Sequence, residues 1–387
     1  MAVLPVQNYV YECLMESAKK IGMLAESERI TADEENTISE NVIQLIKKEG
    51  INKLIIPKDY GGEQIDFNTF TDLIRTVGFY NLSAAWLTYF YSLHNSWVAY
   101  LPKHRRDEIY QDSGLLADIL APIGSAKRVD GGFILSGTYN YVSGIKHSKW
   151  CAVGAVVKEK ETSEPIVLVI DTCEVNIVEN WDSLGLRGSG SHTLVIRDLF
   201  IPDDLTFKIQ DIQKKSQPLE GPFDNDYLYY NVHFLPAFYI GFPAMAIGGA
   251  ERAIDEFKKG TEKRIRISGE SEKASSRSQR VIAEMMMKLK AAKGLMRTYI
   301  EMLEEDTGDK YDPSEYKAIR ASIIQSCIDI AQKALLTLGA GALIKGHPLE
   351  MIVRDLLAIG THVTSLYEDA VDAYGKKLFG YNSGVRG

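Results

Sequence analysis

The stretch that decides the fold runs from Ala121 to Trp150 and reads APIGSAKRVDGGFILSGTYNYVSGIKHSKW. Its apolar, aromatic and β-branched residues are typical of pleated strands, and Gly131-Gly132 predicts a turn between two of them. The second strand ends in Ser143-Gly144, where the glycine lets a backbone approach a flat ligand and the serine offers a hydroxyl beside it. This stretch therefore predicts a β domain with a ligand-facing turn.

A second glycine-rich loop lies between Trp181 and Pro202, in the sequence WDSLGLRGSGSHTLVIRDLFIP. Its glycines alternate with Arg187, Ser189 and Ser191, and an alternating strand follows. A cation beside several backbone N–H groups is a combination that binds anions in backbone nests. Together the two loops predict a site lined by hydroxyl groups, and they do not name its ligand.

Length and composition are those of a globular protein built from two or three structural layers. The 387 residues are 45% apolar and 25% charged, and the net charge of −8 argues against a nucleic-acid binder. The sequence has no run of about twenty apolar residues and no signal-peptide pattern, so we expect a cytoplasmic protein without a membrane partner. Four scattered cysteines without a C-x-x-C pair predict neither a disulfide framework nor a metal site.

The hydrophobic periodicity divides the chain into a helical part, a β part and a second helical part. We expect an N-terminal α-helical domain at 1–118, a central β domain at 119–206 and a linker at 207–226. A C-terminal four-helix-bundle domain would occupy 227–387, with long helices over 231–259, 275–303, 313–338 and 349–375. Residues 31–34 have the pattern of a capping box in front of a helix over 35–48.

Five stretches in this order resemble motifs of the acyl-CoA dehydrogenase fold, and more narrowly of its flavin-dependent monooxygenase branch. Residues 137–150 are similar to the pattern GrWxfxSGxxHxxW, and residues 185–202 to GLRGTGSxxxxVxxxFVP. The shorter matches are IPKDYGG at 56–62, SAAW at 83–86 and Arg354-Asp355. The resemblance covers about residues 20 to 380 and implies an α+β fold, with helical domains on both sides of a β-barrel or β-sandwich.

The resemblance implies the oxygenase component of a two-component, group D flavin-dependent monooxygenase. Such an enzyme takes reduced flavin and O2 and oxygenates a small organic substrate through a C4a-hydroperoxyflavin. We expect FMN (as FMNH2) or FAD from a separate flavin reductase, because the sequence has no NAD(P)H-binding fingerprint. The tyrosine-rich segments favour an aromatic or heteroaromatic substrate, and the family habit implies a homotetramer.

His362, which follows the Arg354-Asp355 motif, is the residue for which the resemblance is most informative. Dehydrogenases of this fold place a glutamate base about eight residues past the aspartate, where this chain has Val363. Their alternative base position falls in residues 236–248, which contain no acid. The monooxygenase branch has a histidine seven residues past the aspartate, and His362 occupies that position. We therefore expect His362 to act on the substrate as a base or to orient it, and Ser143 to contact the flavin near N5.

The remaining expected site residues also come from the resemblance. The flavin contacts would be Ser143, Gly144, Arg187, Gly188, Ser189, Ser191 and Arg266. Trp86 and His94 lie eight residues apart, which places them on one face of a helix, and they are expected to line the substrate pocket. The aromatic run that holds Tyr230, His233 and Phe234 is expected to form either another pocket wall or plain helix core.

Three other functions stay open at this point. The first is an acyl-CoA dehydrogenase or oxidase with FAD and a different base, such as Glu368. The second is an amino-sugar N-oxygenase, since relatives of this type act on phenols, fused heteroaromatics and amino sugars. The third is a non-catalytic flavin-fold protein that acts through assembly.

Overall fold

The N-terminal part of the chain is helical. In this computed structural model the described residues are 5–112, 114–158, 163–213, 227–305 and 310–385. The first helices are α1 (Pro5–Ser27), α2 (Arg29–Glu35), α3 (Glu40–Lys48), α4 (Phe67–Tyr80), α5 (Leu82–Leu93), α6 (Asn95–Val98) and α7 (Lys103–Asp112).

Helix α5 is the buried centre of this layer. All of its residues, LSAAWLTYFYSL, are buried, as expected for a helix that is apolar on every side. The Asn81 side chain caps the helix by accepting a hydrogen bond from the backbone N–H of Ala84 over 2.8 Å. Asn81 is thus both the last cap of α4 and the first cap of α5. It therefore fixes where the side chains of α5 point.

The predicted capping box is wrong. Residues 31–34 lie inside α2, and the cap of α3 is Ser39, whose hydroxyl accepts from the backbone N–H of Val42. Asp33 does not help to cap a helix. Its carboxylate instead pairs with Arg354 over 3.0 Å, a contact between distant parts of the chain.

The β part forms one hydrogen-bonded mixed sheet. Its strands are β1 (Leu115–Val129), β2 (Gly132–Val142), β3 (Ser148–Lys158), β4 (Ser163–Asp171), β5 (Asn176–Val178), β6 (His192–Pro202) and β7 (Thr206–Lys208). Within the described residues the spatial order is β5-β6-β2-β1-β3-β4-β7, with β1 antiparallel to β2 and parallel to β3. The sheet begins slightly before the expected boundary at 119. Residues 207–213 of the expected linker belong to β7 and to helix α8 (Ile209–Gln213), and 214–226 lie outside the described residues.

The C-terminal part consists of α9 (Phe234–Phe238), α10 (Gly241–Lys263), α11 (Ser276–Glu305), α12 (Pro313–Leu338), α13 (Pro348–Gly360) and α14 (Tyr367–Leu378). The predicted helix over 231–259 is interrupted before Gly241. Pro243 has no N–H to donate, so it fits the first turn of α10 and not the interior of a longer helix. The predicted helix over 349–375 is also interrupted, and its break at residues 361–366 carries His362.

Glycines bring α10 close to the N-terminal helices. A Cβ atom on Gly241 would lie 2.2 Å from the ring of Tyr89, and one on Gly248 would lie 2.2 Å from the carbonyl oxygen of Arg75. Both positions therefore require glycine, and they allow α10 to pack against α5 and α4 at backbone distance. In the described ranges no helix is both long and apolar enough to cross a bilayer.

Candidate active site

Six aromatic side chains form a closed series at the junction of α5, α9 and the turn after α13. Each ring centroid lies 4.9 to 6.3 Å from the next. A seventh ring, that of Phe242, packs against four of the six at 4.7 to 5.9 Å. We call these seven residues the aromatic cluster: Trp86, Phe90, His94, Phe238, Tyr239, Phe242 and His362.

The secondary structure explains why these residues meet. Trp86, Phe90 and His94 follow one another at intervals of four, so they share one face of α5 and its C-terminal cap. Phe238 and Tyr239 end α9, and Phe242 lies in the first turn of α10. Tyr239 and His362 are only partly buried, so the aromatic cluster opens to solvent on their side.

A chain of hydroxyl groups connects the aromatic cluster to the two glycine-rich loops. The indole Nε1–H of Trp86 donates to Oγ of Ser143 over 2.9 Å. Ser143 Oγ lies 2.8 Å from Ser191 Oγ, which in turn lies 2.7 Å from Ser189 Oγ. Ser189 and Ser191 are buried, whereas Ser143 is partly exposed. Ser143 is therefore the member of this chain that can reach a ligand.

Both loops have strained backbone next to these serines. Tyr141 has φ of 69° and Leu186 has φ of 52°. Both values lie in the left-handed region, which residues other than glycine rarely adopt. Gly144 and Gly190, with φ of 68° and 53°, supply the remaining left-handed turns. Because such conformations persist only where the surroundings enforce them, their presence in both loops points to a functional role.

The Arg354-Asp355 motif anchors the second loop to α13. The Asp355 carboxylate accepts a hydrogen bond from the backbone N–H of Leu186 over 2.7 Å. Arg354 donates to the carbonyl oxygen of Leu184 over 2.7 Å and pairs with Asp33. Burial raises the pKa of Asp355 to about 7, and the bond from Leu186 and the nearby Arg354 oppose this shift. The motif thus ties the helix that precedes His362 to the loop that contains Ser189 and Ser191.

The other expected flavin contacts have different surroundings. The Arg187 guanidinium donates to the Asp33 carbonyl oxygen at 2.7 Å and to the Asp182 carboxylate at 2.6 Å, so it anchors the loop. Gly188 packs on Ser83 of α5, and its carbonyl oxygen accepts from the N–H of Ile38. Arg266 pairs with Glu272 beyond the end of α10. That Arg187, Gly188 and Arg266 contact a flavin stays a prediction.

His362 has a defined hydrogen-bond arrangement. Its Nδ1 accepts from the backbone N–H of Thr364 over 3.3 Å and lies 2.8 Å from the Thr364 hydroxyl. These contacts assign the tautomer of the neutral ring, which carries its proton on Nε2. Burial lowers the pKa of His362 to about 4, and the positive charge of Arg320 adds to the shift. At neutral pH His362 therefore offers an N–H donor.

Carboxylates are absent from the turn that carries His362. Val363, at the position where a dehydrogenase of this fold has its base, is exposed. Glu368 lies in the first turn of α14, is exposed, and lines a surface cleft of about 510 Å³ together with Gln325, Leu366, Tyr367 and Asp369. This cleft has no member of the aromatic cluster in its lining, so Glu368 is poorly placed as a base for a ligand held there.

The expected substrate residues separate into two groups. Trp86 and His94 belong to the aromatic cluster, and Phe234 borders it through Phe238, with ring centroids 5.0 Å apart. Tyr230 lines a different small cavity, together with Ser96, Tyr100, Ile212, Tyr229, Val232 and Phe234. His233 packs against Tyr316 at 6.2 Å.

Five residues of this candidate site were not among those expected from the sequence. They are Phe90, Phe238, Tyr239, Phe242 and Asp118. Phe90 follows Trp86 by four residues, and the helical spacing could have identified it. Asp118 is a lone acid in the apolar strand segment LLADIL, and its Oδ2 lies 3.4 Å from Nε2 of His94.

The residues present fit a flavin. The edge of a flavin needs a hydrogen-bonding group beside apolar surface, and the partly exposed Ser143 supplies the hydroxyl next to the Trp86 indole. The indole N–H of Trp150 is buried without a hydrogen-bond partner among the described residues, just after the Ser143-Gly144 turn. Across the same residues no group of three or more His, Cys, Asp or Glu side chains is arranged to hold a metal ion.

The chain is similar to several known proteins. Residues 240–365 match the family described as "Acyl-CoA dehydrogenase, C-terminal domain". The chain is 25% identical over 359 residues to the oxygenase component of p-hydroxyphenylacetate 3-hydroxylase from Acinetobacter baumannii, covering 90% of this chain and 85% of that protein. It is 26% identical over 361 residues to the oxygenase subunit HsaA, a flavin-dependent monooxygenase of Rhodococcus jostii, covering 89% of this chain and 92% of that protein.

A solved structure extends the likeness to the whole fold. The fold matches XiaF from Streptomyces sp., whose structure contains FADH2 and glycerol, with a TM-score of 0.88. The alignment covers 98% of each chain at 19% identity. The helical, β and helical arrangement described above is therefore that of the acyl-CoA dehydrogenase fold.

Proposed function

We propose that this chain, which belongs to the flavin-dependent monooxygenases of the acyl-CoA dehydrogenase fold, is the oxygenase component of a two-component system acting on a small aromatic substrate. The observation that carries the proposal is the link from the aromatic cluster to Ser143 through the Trp86 indole. This hydrogen bond joins a group of apolar aromatic side chains to the hydroxyl that is expected to contact a flavin. When bound, reduced flavin (FMN or FAD) supplies two electrons and, with O2, the oxygen atom that is transferred.

The aromatic cluster binds the substrate and excludes water. Its rings are closely spaced, and Phe242 fills one side of the series. Aromatic side chains at these distances provide apolar surface and favour tilted or stacked contacts with another ring. Exclusion of water matters here because activated oxygen that meets water is lost as hydrogen peroxide.

Ser143 positions the flavin edge. The indole of Trp86 donates to its hydroxyl oxygen, and the Ser191 hydroxyl lies within hydrogen-bond distance. These two contacts fix the oxygen atom while leaving it partly exposed, so the hydroxyl can hydrogen-bond a bound ring without reorganising.

The two histidines of the aromatic cluster have opposite hydrogen-bonding roles. Nε2 of His362 is a donor, because Nδ1 accepts from Thr364. Nδ1 of His94 lies 2.8 Å from the carbonyl oxygen of Leu116, which can only accept, so Nε2 of His94 carries a lone pair. We infer that His362 orients an acceptor oxygen and that His94 accepts a hydrogen bond from the substrate.

The expected partners and assembly are part of this proposal. The reduced flavin would come from a separate flavin reductase in the cytoplasm, and the chain would work as a homotetramer. Exposed apolar residues of the C-terminal part support the assembly, among them Leu336, Leu343, Ile344 and Phe379.

Oxygen incorporation from labelled O2 tests the activity. The protein is supplied with FMN and a chemical or enzymatic reductant, and with a panel of para-substituted phenols and indoles under ¹⁸O2. We expect at least one aromatic compound to gain one ¹⁸O atom while peroxide release falls. Reduction of protein-bound flavin by an acyl-CoA thioester, with no labelled product from the panel, would favour the dehydrogenase alternative instead.

A further inference from the structure

Arg320 is a buried cation at the edge of the aromatic cluster. It lies on α12 and is only 4% exposed. Its Nη2 donates to the carbonyl oxygen of Thr364 over 2.5 Å, and its Cζ lies 5.0 Å from the centroid of the Tyr239 ring. Nε has no hydrogen-bond partner among the described residues, and none of these contacts is with a carboxylate. Burying a charge without an opposite charge is costly, so Arg320 calls for an explanation beyond packing.

The hydrogen bond from Arg320 ends on the turn that carries His362. Residues 361–366 lie between α13 and α14 and belong to neither helix. Inside the turn, the N–H of Ser365 donates to the carbonyl oxygen of His362 over 2.7 Å. Thr364 binds Nδ1 of His362 through its N–H and lies close to it through its hydroxyl, while its carbonyl oxygen is held by Arg320. One residue thus connects the guanidinium to the imidazole ring.

A second contact connects Arg320 to the aromatic cluster directly. A guanidinium about 5 Å from a ring centroid is attracted by the electron-rich face of the ring. The ring in question, that of Tyr239, lies 6.3 Å from the ring of His362. Arg320 therefore contacts both the turn behind His362 and an aromatic neighbour of His362.

The charge of Arg320 also acts on the protonation of His362. Burial lowers the pKa of His362, and the positive charge of Arg320 adds to this shift. The rings packed on His362 carry no charge at neutral pH, and they are those of Trp86, Tyr239 and Phe242. On α14, which follows the turn, Glu368 and Asp369 are exposed. The electrostatic effect of Arg320 and the contacts of Thr364 thus favour the same neutral ring.

We propose that Arg320 is a positioning residue that holds the turn carrying His362 and keeps the neutral ring with its proton on Nε2. It acts through the Thr364 carbonyl group on one side and through the Tyr239 ring on the other. The inference rests on the proposed function, in which His362 orients an acceptor oxygen, and it adds a residue that acts through His362.

The test observes His362 directly in the full chain, without flavin or O2. The seven histidines are labelled with ¹³C and ¹⁵N, and their ring signals are followed by NMR from about pH 5 to about pH 8. The signals of His362 are identified by their loss in His362→Gln. We expect His362 of the wild type to stay neutral over this range with its proton on Nε2.

Substitutions of Arg320 show whether it sets this state. Arg320→Met removes the charge and the hydrogen bond, so the pKa of His362 should rise by about one unit or more and the Nε2–H tautomer should no longer dominate. Arg320→Lys keeps a charge on a shorter stem and should retain most of the wild-type behaviour. Arg297→Met, at an exposed position of α11, is the matched control and should leave His362 unchanged. Arg320→Gln, which also removes the charge, replaces the methionine variant if methionine disturbs folding.

Two NMR results would overturn the proposal. One is a wild type in which His362 titrates near pH 6.5, as an ordinary histidine does. The other is a methionine or glutamine variant in which His362 keeps its wild-type pKa and tautomer, as a purely structural arginine would allow.

Turnover gives a second readout of the same link. Arg320→Met should lower product per O2 consumed by roughly 10- to 100-fold, as misplacement of a catalytic group does, and peroxide should replace the product. The same change should cause no further loss in His362→Ala, because both substitutions then act through one group. An undiminished further loss in the double variant would overturn the proposal. A chain that oxygenates no aromatic compound would contradict the proposed function instead, and the NMR titration would still decide the role of Arg320.

Discussion

Trp86 and Ser143 are separated by 57 positions in the chain, yet the indole Nε1 of the first lies 2.9 Å from the hydroxyl oxygen of the second. This hydrogen bond joins α5, which with its cap carries three of the seven residues of the aromatic cluster, to the turn after β2. In the proposed function this contact joins the side chains expected to bind the substrate to the turn expected to contact the flavin.

The first prediction concerns this contact. Ser143→Ala removes one hydrogen bond to the flavin, worth about 0.5–1.5 kcal/mol, so the Kd for FMN should rise roughly 2- to 10-fold. Trp86→Phe keeps the ring and removes the N–H, and its effect should not add to that of Ser143→Ala, because both changes break one interaction. Fluorescence titration of FMN measures the Kd. The control is Ser125→Ala on the exposed face of β1.

Additive effects of the two substitutions would show that Trp86 and Ser143 act separately. An unchanged Kd in Ser143→Ala would place the turn away from the flavin.

The second prediction concerns His362. If Nε2–H orients an acceptor oxygen, His362→Ala should lower product formation by about 10²–10³-fold and release hydrogen peroxide instead, as loss of a positioned donor does. His362→Gln should recover part of the activity, because its amide can place an N–H near the Nε2 position. Product and peroxide are measured per O2 consumed.

His104→Ala serves as the control, since His104 is exposed, pairs with Asp204 and is not a member of the aromatic cluster. Equal losses in the alanine and glutamine variants would instead support a base role for His362, because glutamine cannot take up a proton.

The third prediction concerns the pH dependence of turnover. Burial lowers the pKa of both His94 and His362 to about 4, so both remain neutral well below the ordinary histidine pKa of 6.5. The acidic limb of kcat/KM should therefore lie below pH 6.5 and towards pH 4. The prediction fails if kcat/KM instead falls around pH 6.5 and still does so in the alanine variants of His94 and His362. Neither ring would then control turnover.

The fourth prediction concerns stability and Asp355. Burial raises its folded-state pKa from 3.8 to about 7. For an acid with a raised pKa, the stabilisation is fully present below pH 3.8 and is lost as the pH rises through about 7. Asp355→Asn keeps an acceptor for the Leu186 N–H and does not titrate. Relative to the wild type it should gain up to roughly 4 kcal/mol between pH 4 and pH 8.

Urea unfolding at a series of pH values measures this difference, and Asp130→Asn should follow the wild-type curve. A constant difference between wild type and Asp355→Asn across the range would mean that Asp355 titrates normally in the folded protein.

The fifth prediction concerns assembly. Leu336 is 75% exposed on α12 in the single chain, although a leucine on a helix is usually buried. Light scattering should give the mass of a tetramer, and Leu336→Glu should shift the protein towards smaller species. Leu184→Glu, which changes an exposed leucine on the β part, is the control. A wild type that is monomeric at every concentration would contradict the prediction.

The sequence predicts those parts of the candidate site whose geometry is local. Ser143 and Gly144 follow from a strand that ends in a turn, and Trp86 and His94 follow from helical spacing. Phe242 and Asp118 could not be placed, because they reach the site only when α10 and β1 pack against α5. Tertiary contacts also set the surroundings of Arg187, whose guanidinium donates to Asp33 and Asp182.

The most direct test of the central claim needs no knowledge of the substrate. Protein with one equivalent of reduced FMN is mixed rapidly with O2, and flavin absorbance and peroxide are followed together. If the site protects activated oxygen from water, the bound flavin should pass through a spectrum that is neither reduced nor oxidised, and peroxide should appear late. Reoxidation at the rate of free flavin, with peroxide released at once, would contradict the monooxygenase account.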